Sequence, residues 1–416
     1  MTQPSRRHVL AGAAALLAAR AAFARDHSAH RRHGSGPRPA DDYDVAPGVT
    51  YLNHASIGTV PRAVREAHAR YLAVCETNPW LHVWGDVWRE PVEEVHGAAA
   101  RVLGVPIERV AVVRNTTAAF GMAANGLPLA ESDEVLFSSI NHTGASASWE
   151  HAGRARGYAV RRFGFPEADV ASLSREDVVA AYVDAIGPST AALVVPHVDN
   201  VYGIRHDVAA IARAARTKGV RWVLVDGAQS VGMHPVDVDA LGVDLYATSA
   251  HKWLQAPKGS GLMALSEAAT AAMRPMVVTW GHGRSRGTAR AFTDFGTRDL
   301  PKLLAIGDAM AFHASRDEGR QEHHGALRRA IREGVDADER LEWRSPPEAT
   351  DGAPLVAVGL RTGSARAAAR ALFEDHGVVV RGFEGAGRNH LRVSPNTLND
   401  AVDVARFFEA LAVALG

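Results

Sequence analysis

From Val110 onward, short β-branched runs alternate with alanine-rich stretches of helical period. The apolar runs at 110–113, 135–140, 191–198, 221–225, 245–248 and 261–265 are short enough for buried strands. Between them lie segments such as 207–218, which closes on Lys218-Gly219, a cationic last turn followed by a capping glycine. Unbroken apolar strands alternating with helices predict an α/β fold, a mainly parallel sheet with helices on both faces. Sheets of that kind take ligands at the carboxyl ends of their strands. After Pro301 the pattern changes to a helical region reaching about Arg340, a strand over 355–360, a helix over 364–375 and a strand over 390–393. Residues 301–416 therefore read as a smaller α+β C-terminal domain, and 43–300 as an N-terminal arm and a large domain.

A chain of 416 residues, 47% hydrophobic, can bury a large core. Its 46 Lys and Arg balance 46 Asp and Glu, which gives no electrostatic case for nucleic acid or an anionic membrane. A small polar substrate fits better. The single cysteine, Cys75, excludes an internal disulfide framework. Residues 1–24 carry Arg6-Arg7, an apolar stretch from Val9 to Leu17 and Ala22-Phe23-Ala24, the layout of a cleaved leader. The run from Ser5 to Leu10 is similar to a twin-arginine signal, which implies the twin-arginine export machinery and a periplasmic or secreted mature chain. The apolar stretch is too short to span a bilayer, so no stable membrane anchor is expected. Residues 25–42 read as a flexible linker, and His27, His30 and His33 within it as a solvated tail with no metal site.

Four segments fall at expected strand ends. Asn115-Thr116-Thr117 opens a helix, where free N–H groups and hydroxyls form either an anion site or an ordinary cap. Asp226 follows four apolar residues, a costly place for an unpaired acid, and answers to a cation, a protonated ring nitrogen, a cap or a metal. Lys252 ends another strand in Ser249-Ala250-His251-Lys252; imine chemistry needs a partly buried amine of this kind, although most lysines are simply surface groups. Asn200, in Asp199-Asn200-Val201-Tyr202-Gly203, either binds a ligand or shapes a turn. Trp80, Trp84 and Trp88 recur at helical spacing and predict a stripe facing core or a dimer interface.

Taken with Tyr51-Leu52-Asn53-His54-Ala55-Ser56, Asp226-Gly227-Ala228-Gln229, Phe295-Gly296-Thr297-Arg298 and Leu391-Arg392-Val393-Ser394-Pro395, these segments resemble the class V aminotransferase family of fold-type I enzymes that use pyridoxal 5′-phosphate, in its isopenicillin N epimerase-like branch. The likeness runs from about residue 43 to the end. It implies that Lys252 carries the cofactor covalently, that Asp226 pairs with the pyridine nitrogen and that His142 stacks on the ring, where it is the one candidate catalytic group on the face opposite Lys252. Gln229 and Asn200 would contact the ring's phenolic oxygen or the substrate, and Thr116, Thr117, Ser249 and His251 the phosphate. Arg392 would grip the substrate carboxylate, with Asn53 and His54 nearby. The resemblance further implies a homodimer in which Thr297 reaches the neighbouring subunit's phosphate. The family pattern carries Asn where this chain has His54. Desulfurases of the superfamily use a cysteine late in the chain, and Cys75 lies early, so persulfide-forming desulfurisation is not expected. The implied activity is work at the α-carbon of an amino-acid-like substrate, by epimerisation or else by transamination or C–S β-elimination; a non-catalytic cofactor-fold binding protein is the remaining reading.

Overall fold

The computed structural model describes residues 39–293, 296–347 and 353–416. The leader with Arg6 and Arg7, the linker histidines and Phe295 lie outside the described residues. Strand β1 (Thr50–Tyr51) belongs to the N-terminal arm. The large sheet is built from β2 (Val110–Val113), β3 (Glu134–Ser138), β4 (Ala159–Phe163), β5 (Thr190–Pro196), β6 (Trp222–Asp226), β7 (Leu245–Thr248) and β8 (Gly261–Leu265), in the order β2-β8-β7-β6-β5-β3-β4. Only β8 runs against its neighbours. The expected α/β architecture is present.

Strand periodicity explains why both faces are covered. Val112, Leu136, Leu193, Val195, Val223 and Val225 point into one apolar cluster, while their neighbours Ala111, Val135, Phe137, Val194, Leu224 and Ala247 point into another on the opposite face. The edge strand β4 was not evident in the sequence. Its Arg161 and Arg162 leave opposite faces of the sheet, and Arg161 pairs with Glu134 on β3 at 2.7 Å, so a charged edge replaces the apolar run that marks the inner strands.

The region after Pro301, expected as one helical stretch, is two helices, Leu300–Ala314 and Arg320–Asp336, separated at Gly319, where φ is +77°. The first packs on helices Arg62–Thr77 and Arg89–Leu103 and feeds Leu303, Leu304, Ile306 and Met310 into the large core. The second feeds Leu327, Ile331 and Val335 into the core of the small domain. Packing therefore changes hands between Ala314 and Arg320. The small domain adds β9 (Leu341–Trp343), β10 (Val356–Leu360), β11 (Val378–Val379), β12 (Arg381–Gly385) and β13 (Arg388–Val393). Four of these form an antiparallel sheet in the order β12-β13-β10-β9, and β11 pairs in parallel with β1. The N-terminal arm is thus stitched to the C-terminal domain, with Leu52 buried in its core. The last residues of the expected linker also dock, since Asp42 pairs with Arg316 at 2.6 Å.

The tryptophan stripe is corrected. Trp80–Trp84 is a π-helical turn and Asp86–Trp88 a 3-10 turn, broken at Gly85, where a Cβ would stand 2.4 Å from the Leu81 carbonyl oxygen. The break turns Trp88 into the large core and leaves Trp80 and Trp84 exposed, stacked with Trp280. Among the described residues no helix is long and apolar enough to cross a membrane.

Candidate active site

The carboxyl ends of β2, β3, β6 and β7 converge on a cavity of about 210 Å³, closed on the other side by β12 and β13. A larger groove, about 570 Å³, lies among helices Arg62–Thr77, Arg89–Leu103 and Leu300–Ala314 and contains none of the strand-end groups. Chemistry belongs to the smaller one.

One end of the cavity is an anion cradle. Asn115 caps helix Thr116–Gly126 by accepting the Ala118 N–H at 2.8 Å. The Ser249 hydroxyl, at the end of β7, accepts the Thr116 N–H at 3.2 Å and lies 2.9 Å from the Thr116 hydroxyl. A helix N-terminus and several hydroxyls therefore line one wall, with Thr117 beside them. Gly144 allows the helix after β3 to come this close, because a Cβ there would lie 2.5 Å from the Thr117 hydroxyl.

Deeper in, Asp226 and Lys252 are both buried, at the ends of adjacent strands. Burial raises the Asp226 pKa, opposed by the charge of Lys252 and by an N–H bond from Ala228 at 3.0 Å. Burial lowers the Lys252 pKa to about 8, with Asp226 pulling it up and Arg392 and Arg381 pushing it down. A lysine of this kind holds a useful fraction of free amine near neutral pH. The arm presses on this segment: Gly58 donates its N–H to the His251 carbonyl at 2.9 Å, and a Cβ on Gly58 would sit 1.9 Å from the Lys252 carbonyl oxygen.

Arg392 is fully buried and is gripped by neutral acceptors only. It donates to the Asn200 backbone carbonyl at 2.9 Å, to Asn53 Oδ1 at 3.1 Å and to the Ser56 hydroxyl at 2.6 Å, while its Nε–H has no partner among the described residues. Burial lowers its pKa to about 9. A guanidinium hydrogen-bonded only by neutral groups, with Asp199 as the acid that acts on it from a distance, suits a carboxylate ligand. His142 caps the helix after β3, its Nδ1 accepting the Gly144 N–H at 3.0 Å, so the ring's proton is on Nε2. Burial, then the charges of Lys252, Arg381 and Arg392, lowers its pKa to about 4.

The cavity thus gathers Thr116, Thr117, His142, Asp226, Gln229, Ser249, His251, Lys252 and Arg392 from the sequence-derived set. Asn53 and Asn200 stand behind Arg392 as its supports. Gln229 reaches the wall but its amide is committed, accepting from Trp253 Nε1 at 2.6 Å and donating to the Ala55 carbonyl at 3.0 Å. His54 is not on the wall; it is buried against Tyr51 with ring centroids 5.0 Å apart. Thr297 lies in a separate groove with Trp84 and Trp280. Six lining residues, Ala55, Ser56, Asn115, Gly144, Ala228 and Arg381, were not singled out for the site. Ser56 and Asn115 stand inside the quoted motifs, where a small polar residue next to a recognised one was the available signal.

These residues fit pyridoxal 5′-phosphate. A hydroxyl-lined helix N-terminus matches the phosphate, a buried carboxylate with one N–H partner matches a protonated pyridine nitrogen, and the buried amine of Lys252 lies in the same cavity.

Comparison with known proteins agrees. The family model described as aminotransferase class V matches residues 50–405. The chain is 32% identical to an isopenicillin N epimerase of Amycolatopsis lactamdurans, over 89% of this chain and 96% of that one. It is 30% identical to a probable cysteine desulfurase of Pseudomonas aeruginosa, over 90% and 95% of the two chains. Among solved structures, a cystine C–S lyase bound to its product cysteine persulfide superposes with a TM-score of 0.79 at 22% identity, covering 88% of this chain and 98% of the other.

Proposed function

The chain belongs to the class V aminotransferase family, and on that premise we propose that it is a pyridoxal 5′-phosphate enzyme that removes and returns the α-hydrogen of an amino-acid substrate, in the manner of an isopenicillin N epimerase. The observation that carries the reading is the buried Asp226 and Lys252 pair beside a hydroxyl-lined helix N-terminus. When bound, the cofactor's ring draws off the negative charge left at the substrate α-carbon. Asp226 keeps the ring nitrogen protonated; among the described residues Lys252 is the cation that acts on its buried carboxylate. Thr116, Thr117 and Ser249 hold the phosphate, Arg392 orients the substrate carboxylate and Lys252 Nζ moves the α-proton.

A single lysine serves transamination or C–S β-elimination equally well, and those are the alternative readings. Desulfurisation through a persulfide on an enzyme cysteine lacks its nucleophile in the cavity, because Cys75, the only cysteine, is buried in helix Arg62–Thr77 and does not line the cavity. The test is α-hydrogen exchange. Holoenzyme in heavy water should introduce deuterium at the α-carbon of an accepted amino acid, and Lys252→Ala should stop it. A cofactor-loaded protein that exchanges no amino acid would leave only the binding-protein reading.

Two further features complete the proposal. Trp80, Trp84 and Trp280 are exposed and stacked on one another, the exposed Met276, Val277 and Val278 precede Trp280 in the chain, and Thr297 lines the groove with Trp84 and Trp280; these exposed apolar groups support a homodimer. The leader with Arg6-Arg7 supports twin-arginine export to the periplasm or beyond, so replacing both arginines by lysine should retain the precursor in the cytoplasm.

A further inference from the structure

We infer that Arg381 selects for amino acids whose side chain carries a second anionic group, so that the preferred substrates are dicarboxylic. The inference rests on the reading of the cavity as an amino-acid site and names its substrate class.

Arg381 stands directly opposite Arg392 in the antiparallel pair β12 and β13, so both side chains leave the same face of the small sheet. Both guanidinium groups lie over one ring, that of Phe383, at 5.1 and 5.6 Å from its centroid. Like charges placed across a strand pair repel, and the arrangement costs stability unless anions relieve it. A third arginine on this face, Arg388, shows the usual solution: its charge is matched by Glu167 at 2.6 Å. Arg392 has three neutral acceptors, and among the described residues Arg381 has no hydrogen-bond or ion-pair partner. Among the described residues Asp226 is the one acid on the cavity wall, and it is deep beside Lys252.

Two arginines therefore open into the cavity from the small-domain side with no protein anion between them. The α-carboxylate of any amino acid would satisfy one, at Arg392 on the cavity wall. Arg381 is on the more exposed side of the wall, where a side chain extending from the α-carbon carries its terminal group. A side-chain carboxylate at that point meets an unpaired, planar donor fork. A neutral amide of the same size leaves the second cation unmatched.

The experiment uses holoenzyme and a matched series: L-aspartate against L-asparagine, and L-glutamate against L-glutamine, together with the next longer dicarboxylate against its neutral straight-chain counterpart. Binding is read from the cofactor absorption change on titration, and turnover from deuterium at the α-carbon. At least one acidic member should bind about tenfold tighter than its neutral counterpart. That ratio should fall towards one in Arg381→Gln and recover in part in Arg381→Lys, which restores charge without the fork. Arg392→Gln should weaken acidic and neutral members together. The inference is overturned if neutral members bind as well as acidic ones, if Arg381→Gln leaves the ratio intact, or if its main effect is loss of cofactor, which would assign Arg381 to the phosphate. Neutral amino acids that exchange well with no acidic preference would remove this inference and leave the proposed function standing; no exchange by any amino acid would remove both.

Discussion

Glu167 on the large domain and Arg388 on β13 of the small domain are joined by two hydrogen bonds, Nε to Oε2 at 2.6 Å and Nη2 to Oε1 at 2.9 Å. The same carboxylate accepts the hydroxyls of Ser139 and Tyr202, both at 2.8 Å. Burial alone would raise its pKa, but these donors together hold it below the usual carboxylate value. Arg388 lies four residues before Arg392 on one strand, and Ser139 lies three residues before His142. The pair therefore fixes the spacing between the wall that carries Arg392 and the wall that carries His142.

Arg388→Met should accordingly lower stability by on the order of 1–3 kcal/mol, a half-buried pair being worth less than a fully buried one. The KM for an accepted amino acid should rise several-fold while kcat falls less, because Lys252 and Asp226 are on other elements. Arg388→Lys should recover part of the KM. Equal losses in kcat and KM with no recovery would show that the pair holds the fold in general and not the substrate wall.

Lys252 gives a pH prediction. An amine captures an aldehyde only when deprotonated, and burial has lowered this one from 10.5 to about 8. The initial rate at which apoenzyme takes up pyridoxal 5′-phosphate should rise through about pH 8 and level off above it. Asp226→Asn removes the carboxylate that holds the proton on, so the midpoint should move lower. A rate still climbing through pH 10 would mean that the lysine is solvated and the buried geometry is wrong.

The large sheet could be read from the sequence because its inner strands are buried on both faces, which leaves short unbroken runs such as 222–225. The same reasoning missed β4, where pairing with a single neighbour permits arginines, and it joined two helices across Gly319 because helical composition continues on both sides. The site was legible where a reactive group ends a strand, as at Asp226 and Lys252. It was not legible where the role depends on which way a side chain is already committed. Gln229 is tethered by Trp253, 24 residues away, and His54 is turned inward against Tyr51. Arg381 was invisible for another reason: its place on the wall comes from the register of β12 with β13, which no local pattern encodes.

Arg392→Gln should weaken amino-acid binding by about 2–5 kcal/mol while bound cofactor is retained. Ser56→Ala, which removes only the hydroxyl holding one Nη at 2.6 Å, should cost nearer 1 kcal/mol. Titration of holoenzyme with an accepted amino acid measures both. Loss of cofactor with unchanged amino-acid affinity would assign the arginine to the phosphate.

The stereochemical course turns on His142. Inversion at the α-carbon needs a proton delivered to the face opposite the one it left, and His142 is the group the family likeness places against the ring. Its Nδ1 already accepts the Gly144 N–H, and with a pKa of about 4 the ring is neutral near pH 7. Protonating it would require losing that cap and adding a charge beside Lys252, Arg381 and Arg392. A neutral Nε2–H is a very weak acid, so the expected course has Lys252 as the one base and His142 as a stacking surface only. An amino acid labelled with deuterium at the α-carbon and turned over in ordinary water should therefore keep part of its label in any inverted product, because the same amine takes the hydrogen and returns it. His142→Phe, which keeps a flat ring, should reduce exchange less than His142→Ala does. Inverted product carrying only solvent hydrogen, together with loss of inversion but not exchange in His142→Phe, would make His142 the second proton donor and overturn the one-base course.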